Sequence, residues 1–403
     1  MGDKYDVIVA GGGPVGLITA LKLGRSGVRV LVLDRLESVS TAPRALGYQW
    51  PSPLVLEDIG VLDDAIAAGV VKTELAFRSA ATGAVDRLTL DCLPADEKGR
   101  RPFDIGLGQD TLAQIIVEHL STQETVDVRW GTEVVGLEQT PNEVVITAET
   151  ESDRTKFRSS YLVGADGSHS TVRKLLGLAF EGRTWPDRFV ATNIRYDFAA
   201  HGYAPSVFVR DPVDWAFIIQ YGHDNLWRVT YGEAASLPRE TVSDRVEEHF
   251  RRILPDPDQP YEIVAMNSYQ VHERCAPTFR VGRVLLAGDA AHVNNPSGGF
   301  GLLGGIYDAN ALGLALISTF EGVRDERVLD WYAEERRQIF LKKTSPYATR
   351  YKGSMMVPEE IKQFEGFLRA AKADLGTMRQ LLSAPASIVG TFPIEPGSRL
   401  ERA

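Results

Sequence analysis

An α/β fold, with a nucleotide-binding parallel sheet, an inserted antiparallel sheet and closing helices, is predicted by three observations. A strand, a glycine turn, a helix and a second strand follow one another at the amino terminus, the Rossmann-like βαβ order. Two later apolar strands, ending at Gly164-Ala165-Asp166 and at Ala287-Gly288-Asp289, each run into a helical pattern. Between them, from about 183 to 275, alternating runs such as RFVATNIRYDF, LWRVTYGE and YEIVAMNSYQVHER read as antiparallel strands. At 403 residues and 44% apolar composition, the chain is expected to form two associated domains, or one large domain with an insertion.

In the first unit Tyr5–Ala10 (YDVIVA) is the strand, and Gly11-Gly12-Gly13-Pro14-Val15-Gly16 opens the helix LITALKLGRSG. Glycines at these places let the backbone turn tightly and approach a pyrophosphate, which the free amides and dipole of the helix start favour. VRVLVLD is the second strand; Asp34 ends it where an acid can bond an adenosine ribose, and Arg35 follows. This segment predicts a dinucleotide site without choosing between NAD and FAD. The second signature is YLVGADGSHSTVRKLLG, with Asp166 at the turn and Arg173 on a short helix. In the third, VGRVLLA leads through Gly288-Asp289 to a glycine-rich loop containing Pro296, and then to a helix from about Leu302. An acid at that strand's carboxyl end can accept hydrogen bonds from a polyol, and free helix amides favour developing negative charge.

GGGPVG, GADGSHSTVR and GDAAHVNNPSGGFG, in that order, resemble the three motifs of the class A flavoprotein monooxygenases, the group that includes para-hydroxybenzoate hydroxylase and phenol hydroxylase. The resemblance covers roughly residues 4 to 340 and implies a GR2-type FAD-binding domain carrying an antiparallel substrate sheet. It implies that Gly11, Gly13, Pro14, Val15 and Gly16 meet the pyrophosphate, Asp34 and Arg35 the ribose side, and Arg44, in Pro43-Arg44-Ala45, the cofactor. It further assigns Gln109 and Asp289 to the ribityl chain, and Asp166 and Arg173 to a motif linked to both FAD and NAD(P)H. Gly288, Pro296, Gly299 and Gly301, with the backbone amides of Leu302 and Leu303, are assigned to the flavin edge. Where the family commonly carries Asn, this chain has Leu303, so a polar side-chain contact near the ring is expected to be lost.

The activity so implied is that of an FAD-dependent monooxygenase. NADPH or NADH reduces the flavin as a transient co-substrate, dioxygen gives a flavin C4a-hydroperoxide, and oxygen passes to a phenolic or polyketide-like aromatic molecule. Epoxidation, oxidative decarboxylation, Baeyer-Villiger oxidation and an FAD-dependent reductase or dehydrogenase remain alternatives. A flavin halogenase is disfavoured, since W-x-W-x-I-P is absent. Tyr48, four residues after Arg44, is the first candidate to activate a phenol; Tyr221, His223 and Tyr231 lie on the expected substrate sheet, and Tyr269 and His272 just before the third signature. Arg195, Arg210 and Arg228 could meet a carboxylate, while Trp185, Trp215 and Trp227 read chiefly as core packing.

The discontinuous division expected is 1–72, 106–180 and 276–345 for the flavin domain, 73–105 and 181–275 for the substrate domain, and 346–403 for a helical segment, with no thioredoxin-like carboxyl-terminal domain. A formal charge of -10 and a pI near 5.3 speak against nucleic acid or an anionic membrane as partner. Cys92 and Cys275 have no paired spacing, no His/Cys cluster has metal-ligand spacing, and no signal peptide, myristoylation pattern or run of ~20 apolar residues is visible. A reduced cytoplasmic setting and a monomer or homodimer are expected.

Overall fold

The computed structural model describes residues 4–392. Lys4–Ala10 pairs in parallel with Val30–Leu33 on one side and with Arg154–Gly164 on the other. Val126–Arg129 extends this sheet beyond Val30–Leu33, and Val284–Leu286 extends it beyond Arg154–Gly164. The registers Ala10↔Leu33, Ala10↔Gly164 and Gly164↔Leu286 bring the carboxyl ends of four strands level. Asp34, Asp166 and Asp289, one from each signature, therefore leave the sheet along the same edge, where ligands of open α/β sheets bind.

The helix Pro14–Arg25 packs against Phe300–Phe320, the apolar helix after the third signature. A Cβ on Gly305 would stand 2.8 Å from Val15, and one on Gly313 2.6 Å from Lys22, so small residues set this approach. Among the described residues one helix, Ser297–Phe320, is long and apolar enough to cross a membrane, and 78% of its apolar window is buried inside the protein.

The second sheet has eight strands in the order His292–Val293, Glu262–Cys275, Glu181–Arg195, Leu226–Ala234, Ala216–Gln220, Ser206–Arg210, Glu74–Ser79 and Val85–Thr89. The hairpin Glu74–Ser79/Val85–Thr89 thus joins the strands of 181–275, through a parallel pairing with Ser206–Arg210. At the opposite end Arg274↔Val293 and Cys275↔His292 tie the sheet directly to the third signature. One face is covered by the helix Val242–Ile253, which buries Val242, Val246 and Phe250 against Tyr231 and Trp227. Over the other face lie Ser345–Met356, Pro358–Ala373 and Leu375–Leu382, with Tyr351 and Phe364 among the rings of Phe77 and Phe208. Asp104–Gly106 instead forms a small sheet between Gly47–Tyr48 and Val70–Lys72, bridging the two large ones.

Candidate active site

The glycines of the first signature divide into two kinds. Gly11 has φ 115° and a Cβ there would stand 2.3 Å from the Ala165 carbonyl oxygen; one on Gly16 would stand 2.0 Å from the Gly11 oxygen. These two are required by chain packing. A Cβ on Gly13 would meet nothing within 4 Å, although Gly13 is the N-cap of Pro14–Arg25 and no side chain caps that helix. Open space beside uncapped amides is what a pyrophosphate needs. Asp34 already accepts from the Gly12 N–H (2.6 Å) and the Leu36 N–H (2.8 Å); a carboxylate offers about four acceptor positions, so it can hold this loop and still meet a ribose. Arg35 beside it is exposed.

The second signature acts within the protein as a brace. Asp166 accepts from Ser170 Oγ and from the Val172 N–H (3.0 Å), while Ser170 Oγ caps Thr171–Leu175 by accepting from the Arg173 N–H (2.9 Å). Arg173 is buried, lies 3.7 Å over the Phe180 ring, and donates to the carbonyls of Ala290 (2.7 Å) and Ser168 (2.8 Å). Its guanidinium fixes the backbone beside Asp289, the residue that the third signature offers to the cofactor.

At the third signature Gly288 takes φ 58° and donates its N–H to Asp308 (3.0 Å). Asp308 also accepts from His292 Nε2 (2.7 Å) and Arg336 Nε (2.7 Å), all three side chains being buried. Burial raises the Asp308 carboxyl, yet the charges of His292 and Arg336 outweigh it and hold it far below the ordinary range. Asp289 is exposed at its atoms and accepts no hydrogen bond from protein among the described residues. Although its surface is reachable by solvent, the dense protein around it desolvates the carboxyl and raises it above the usual value, against the pull of His292 and Arg44. Gln109, at the start of Gln109–Leu120, and Arg44 likewise have side chains without a protein hydrogen bond.

Pro296 leads into Gly298 (φ 81°) and Gly299 (φ 73°), left-handed positions that turn the chain into Phe300–Phe320, again without a side-chain cap. A Cβ on Gly301 would stand 2.9 Å from Asn294 Oδ1. Helix geometry leaves the N–H groups of Phe300, Gly301 and Leu302 free, while Leu303 stands where the first intrahelical bond closes onto Gly299. Its side chain is fully buried in the core. The expected amide pair at 302 and 303 therefore shifts toward 300–302, and Leu303 serves packing. Two uncapped helix starts, an open Gly13 and the free polar groups of Asp289, Arg44 and Gln109 together fit FAD.

Beside this line lies a cavity of about 460 Å³, bounded by Gly47, Gln49, Trp50, Gly298 and Phe300 at the glycine loop. Phe77, Phe208 and Ile219 of the large sheet, with Tyr351, Phe364 and Leu381 of the carboxyl-terminal helices, give it apolar walls. Gln49 Nε2 donates to the Gly298 carbonyl (3.0 Å), joining the cavity wall to the loop.

The structure separates the four tyrosine and histidine candidates. Tyr48 is completely buried in the core of the nucleotide domain while its neighbours Gly47 and Gln49 face the cavity, because alternate residues of an extended strand point oppositely. Its hydroxyl has no partner, and burial, then Asp110, keep it protonated. Tyr231 stacks on His249 at 4.2 Å beneath the helix Val242–Ile253, on the sheet face away from the cavity. His223 is exposed in a turn. Tyr221 alone stays near the cofactor line: its ring lies 5.6 Å from Arg228, which donates to Asn193 Oδ1 (2.5 Å) and to the Arg44 backbone carbonyl (2.7 Å), and burial pushes its hydroxyl up to about 12. Trp215 and Trp227 are packed among Phe189 and Phe198.

Sequence reasoning missed Lys72 and Asp104, which face the cavity from adjacent strands as cross-strand partners. Burial pulls the Lys72 ammonium down to about 8 and pushes the Asp104 carboxyl up to about 6. The available signal was a single charge closing an apolar run in VVK and another inside PFDIGLG.

Residues 4–344 match the FAD binding domain family. The chain is 41% identical over 394 residues to the para-nitrophenol 4-monooxygenase of Pseudomonas sp. strain WBC-3, covering 96% of this chain and 97% of that one. It is 41% identical over 350 residues to the 6-hydroxy-3-succinoylpyridine 3-monooxygenase HspB of Pseudomonas putida S16, covering 87% and 88%. The crystal structure of p-nitrophenol 4-monooxygenase PnpA from Pseudomonas putida DLL-E4 matches it with a TM-score of 0.91 at 40% identity, over 96% of this chain and 99% of that one.

Proposed function

The chain belongs to the FAD-dependent aromatic monooxygenases, and from that premise we propose that its substrate is a single-ring phenol oxygenated at the substituted carbon opposite the hydroxyl. Both relatives' names support this outcome: position 4 of para-nitrophenol and position 3 of a 6-hydroxy-3-succinoylpyridine each carry a substituent and lie across the ring from the hydroxyl. The observation that carries the reading is the apolar cavity ending on Gly298 and Phe300, which sets an aromatic ring beside the loop that would hold the flavin edge.

FAD, when bound, supplies reduction by NAD(P)H and the activation of dioxygen. The chain's part is to hold and shield. Gly13 and the amides of Val15 and Gly16 would receive the pyrophosphate, Asp289 and Gln109 the ribityl hydroxyls, and the start of Phe300–Phe320 would favour negative charge at the ring's pyrimidine edge. Phe77, Phe208 and Phe364 exclude water from the ring carbon that reacts. With p-nitrophenol, one oxygen atom goes to carbon 4 and the other to water, NAD(P)H supplies two electrons, and nitrite leaves with the bonding pair, giving a quinone.

The test is to load the purified protein with FAD and screen para-substituted phenols for accelerated NAD(P)H oxidation, using isotopic dioxygen on each active compound. Labelled oxygen at the para carbon with release of the substituent is expected. Labelled oxygen at a neighbouring carbon, with the substituent retained, would overturn the proposal.

A further inference from the structure

A lysine in an apolar cavity is costly unless something compensates its charge. Lys72 is 4% exposed and lines the cavity, and its ammonium makes no hydrogen bond or ion pair within the protein among the described residues. Asp104 stands opposite it in register, and one of its oxygens accepts from the Trp50 N–H (2.9 Å), leaving the other without a protein donor. Trp50 follows Gln49, which bonds the glycine loop, so the pair lies at the part of the cavity joined to the flavin side.

Resting on the phenol reading above, we propose that the Lys72 ammonium holds the phenolate oxygen of the substrate and that Asp104 accepts the phenol proton. The transfer balances: ammonium, carboxylate and neutral phenol become ammonium, carboxylic acid and phenolate, with no change in net charge inside the cavity. A phenolate pushes more electron density to its para carbon than a phenol does, and that carbon is where oxygen is to arrive. The downward pull on Lys72 to about 8 and the rise of Asp104 to about 6 leave both charged near neutrality, with Asp104 poised to take a proton. The other titratable groups facing this region are Tyr307, whose hydroxyl is kept protonated by burial, and Tyr347, Arg350, Tyr351 and Glu360 from the helical cover. Of these cations Lys72 is the one set beside a carboxylate, Asp104, across paired strands.

The experiment uses p-nitrophenol, whose ionised form absorbs at much longer wavelength than its neutral form, bound to the FAD-loaded protein. The wild type is expected to bind it ionised at a pH one unit below the free phenol's midpoint. Lys72→Met should bind it neutral, raise KM between about ten- and a hundredfold, and leave FAD affinity unchanged. Lys72→Arg should recover ionised binding in part, and Lys72→Gln replaces the Met variant should that one fail to fold. Asp104→Asn should slow the ionisation of the bound phenol after rapid mixing, because the proton acceptor is gone, while its midpoint stays the same or falls, because a negative neighbour is gone. A Lys72→Met protein that still binds the phenol ionised, with an unchanged midpoint, would overturn the assignment alone. A wild type that binds and turns over no phenol would overturn this assignment and the proposed substrate together.

Discussion

Asp308 offers the sharpest test of how the third signature is held. It is 0% exposed and receives His292 Nε2, Arg336 Nε and the Gly288 N–H, the last adjoining Asp289. Asp308→Asn keeps one oxygen acceptor but turns an N–H₂ group toward donors. Breaking a buried pair costs about 3–5 kcal/mol. Arg336 retains the carbonyls of Ile388, Val389 and Gly304, so the lower end, about 3 kcal/mol, is expected. At roughly 1.2 °C per kcal/mol for a chain of about 400 residues, from about 2.1 cal/mol/K of unfolding entropy per residue, the melting temperature should fall by about 3–4 °C. The Asp308 carboxyl lies below its unfolded value, so its stabilisation is full above about pH 4 and is lost as pH falls further toward the folded value. Calorimetry of both proteins from neutral to acid pH should show a constant gap that narrows below about pH 4. Adding Arg336→Met should recover part of the loss, because no guanidinium then stays buried beside an amide. A variant melting within a degree of wild type, or a gap that widens in acid, would refute the reasoning.

Three more outcomes follow from the same geometry. Gly13→Ala should lower FAD affinity at least about tenfold in titration while shifting apoprotein stability by less than about 0.5 kcal/mol; Gly16→Ala should destabilise the apoprotein itself, since its Cβ would meet the Gly11 oxygen. Tyr48→Phe should leave turnover intact and hold or raise the melting temperature, because it removes a buried hydroxyl without a partner; a large loss of turnover would return Tyr48 to the mechanism. Asp289→Asn should weaken FAD about ten- to a hundredfold, by loss of charged hydrogen bonds. Its carboxyl is raised in the fold, so ionised Asp289 costs stability above that value. The apo variant should therefore match or exceed wild type at neutral pH, and the difference should vanish below about pH 4.

Legibility in the sequence follows the range of the interaction. The parallel sheet and the antiparallel runs between about 183 and 275 were readable because periodicity and glycine turns are local signals. Gly13 and Gly16 look alike in GGGPVG, and only the fold tells an open glycine from one pressed against Gly11. Asp166 and Arg173 stand in one short motif, but that the Arg173 guanidinium reaches the backbone of residue 290 depends on a contact over a hundred positions apart. Tyr48 failed for a simpler reason: on an extended segment, being one residue from the cavity means facing away from it. Lys72 and Asp104 were hidden because each is an ordinary charge in its own stretch. Their meaning arises only when Val70–Lys72 and Asp104–Gly106 pair and turn both side chains into one apolar space. Recognition of the cofactor thus resides in short contiguous motifs, whereas recognition of the substrate is assembled from strands that share no motif at all.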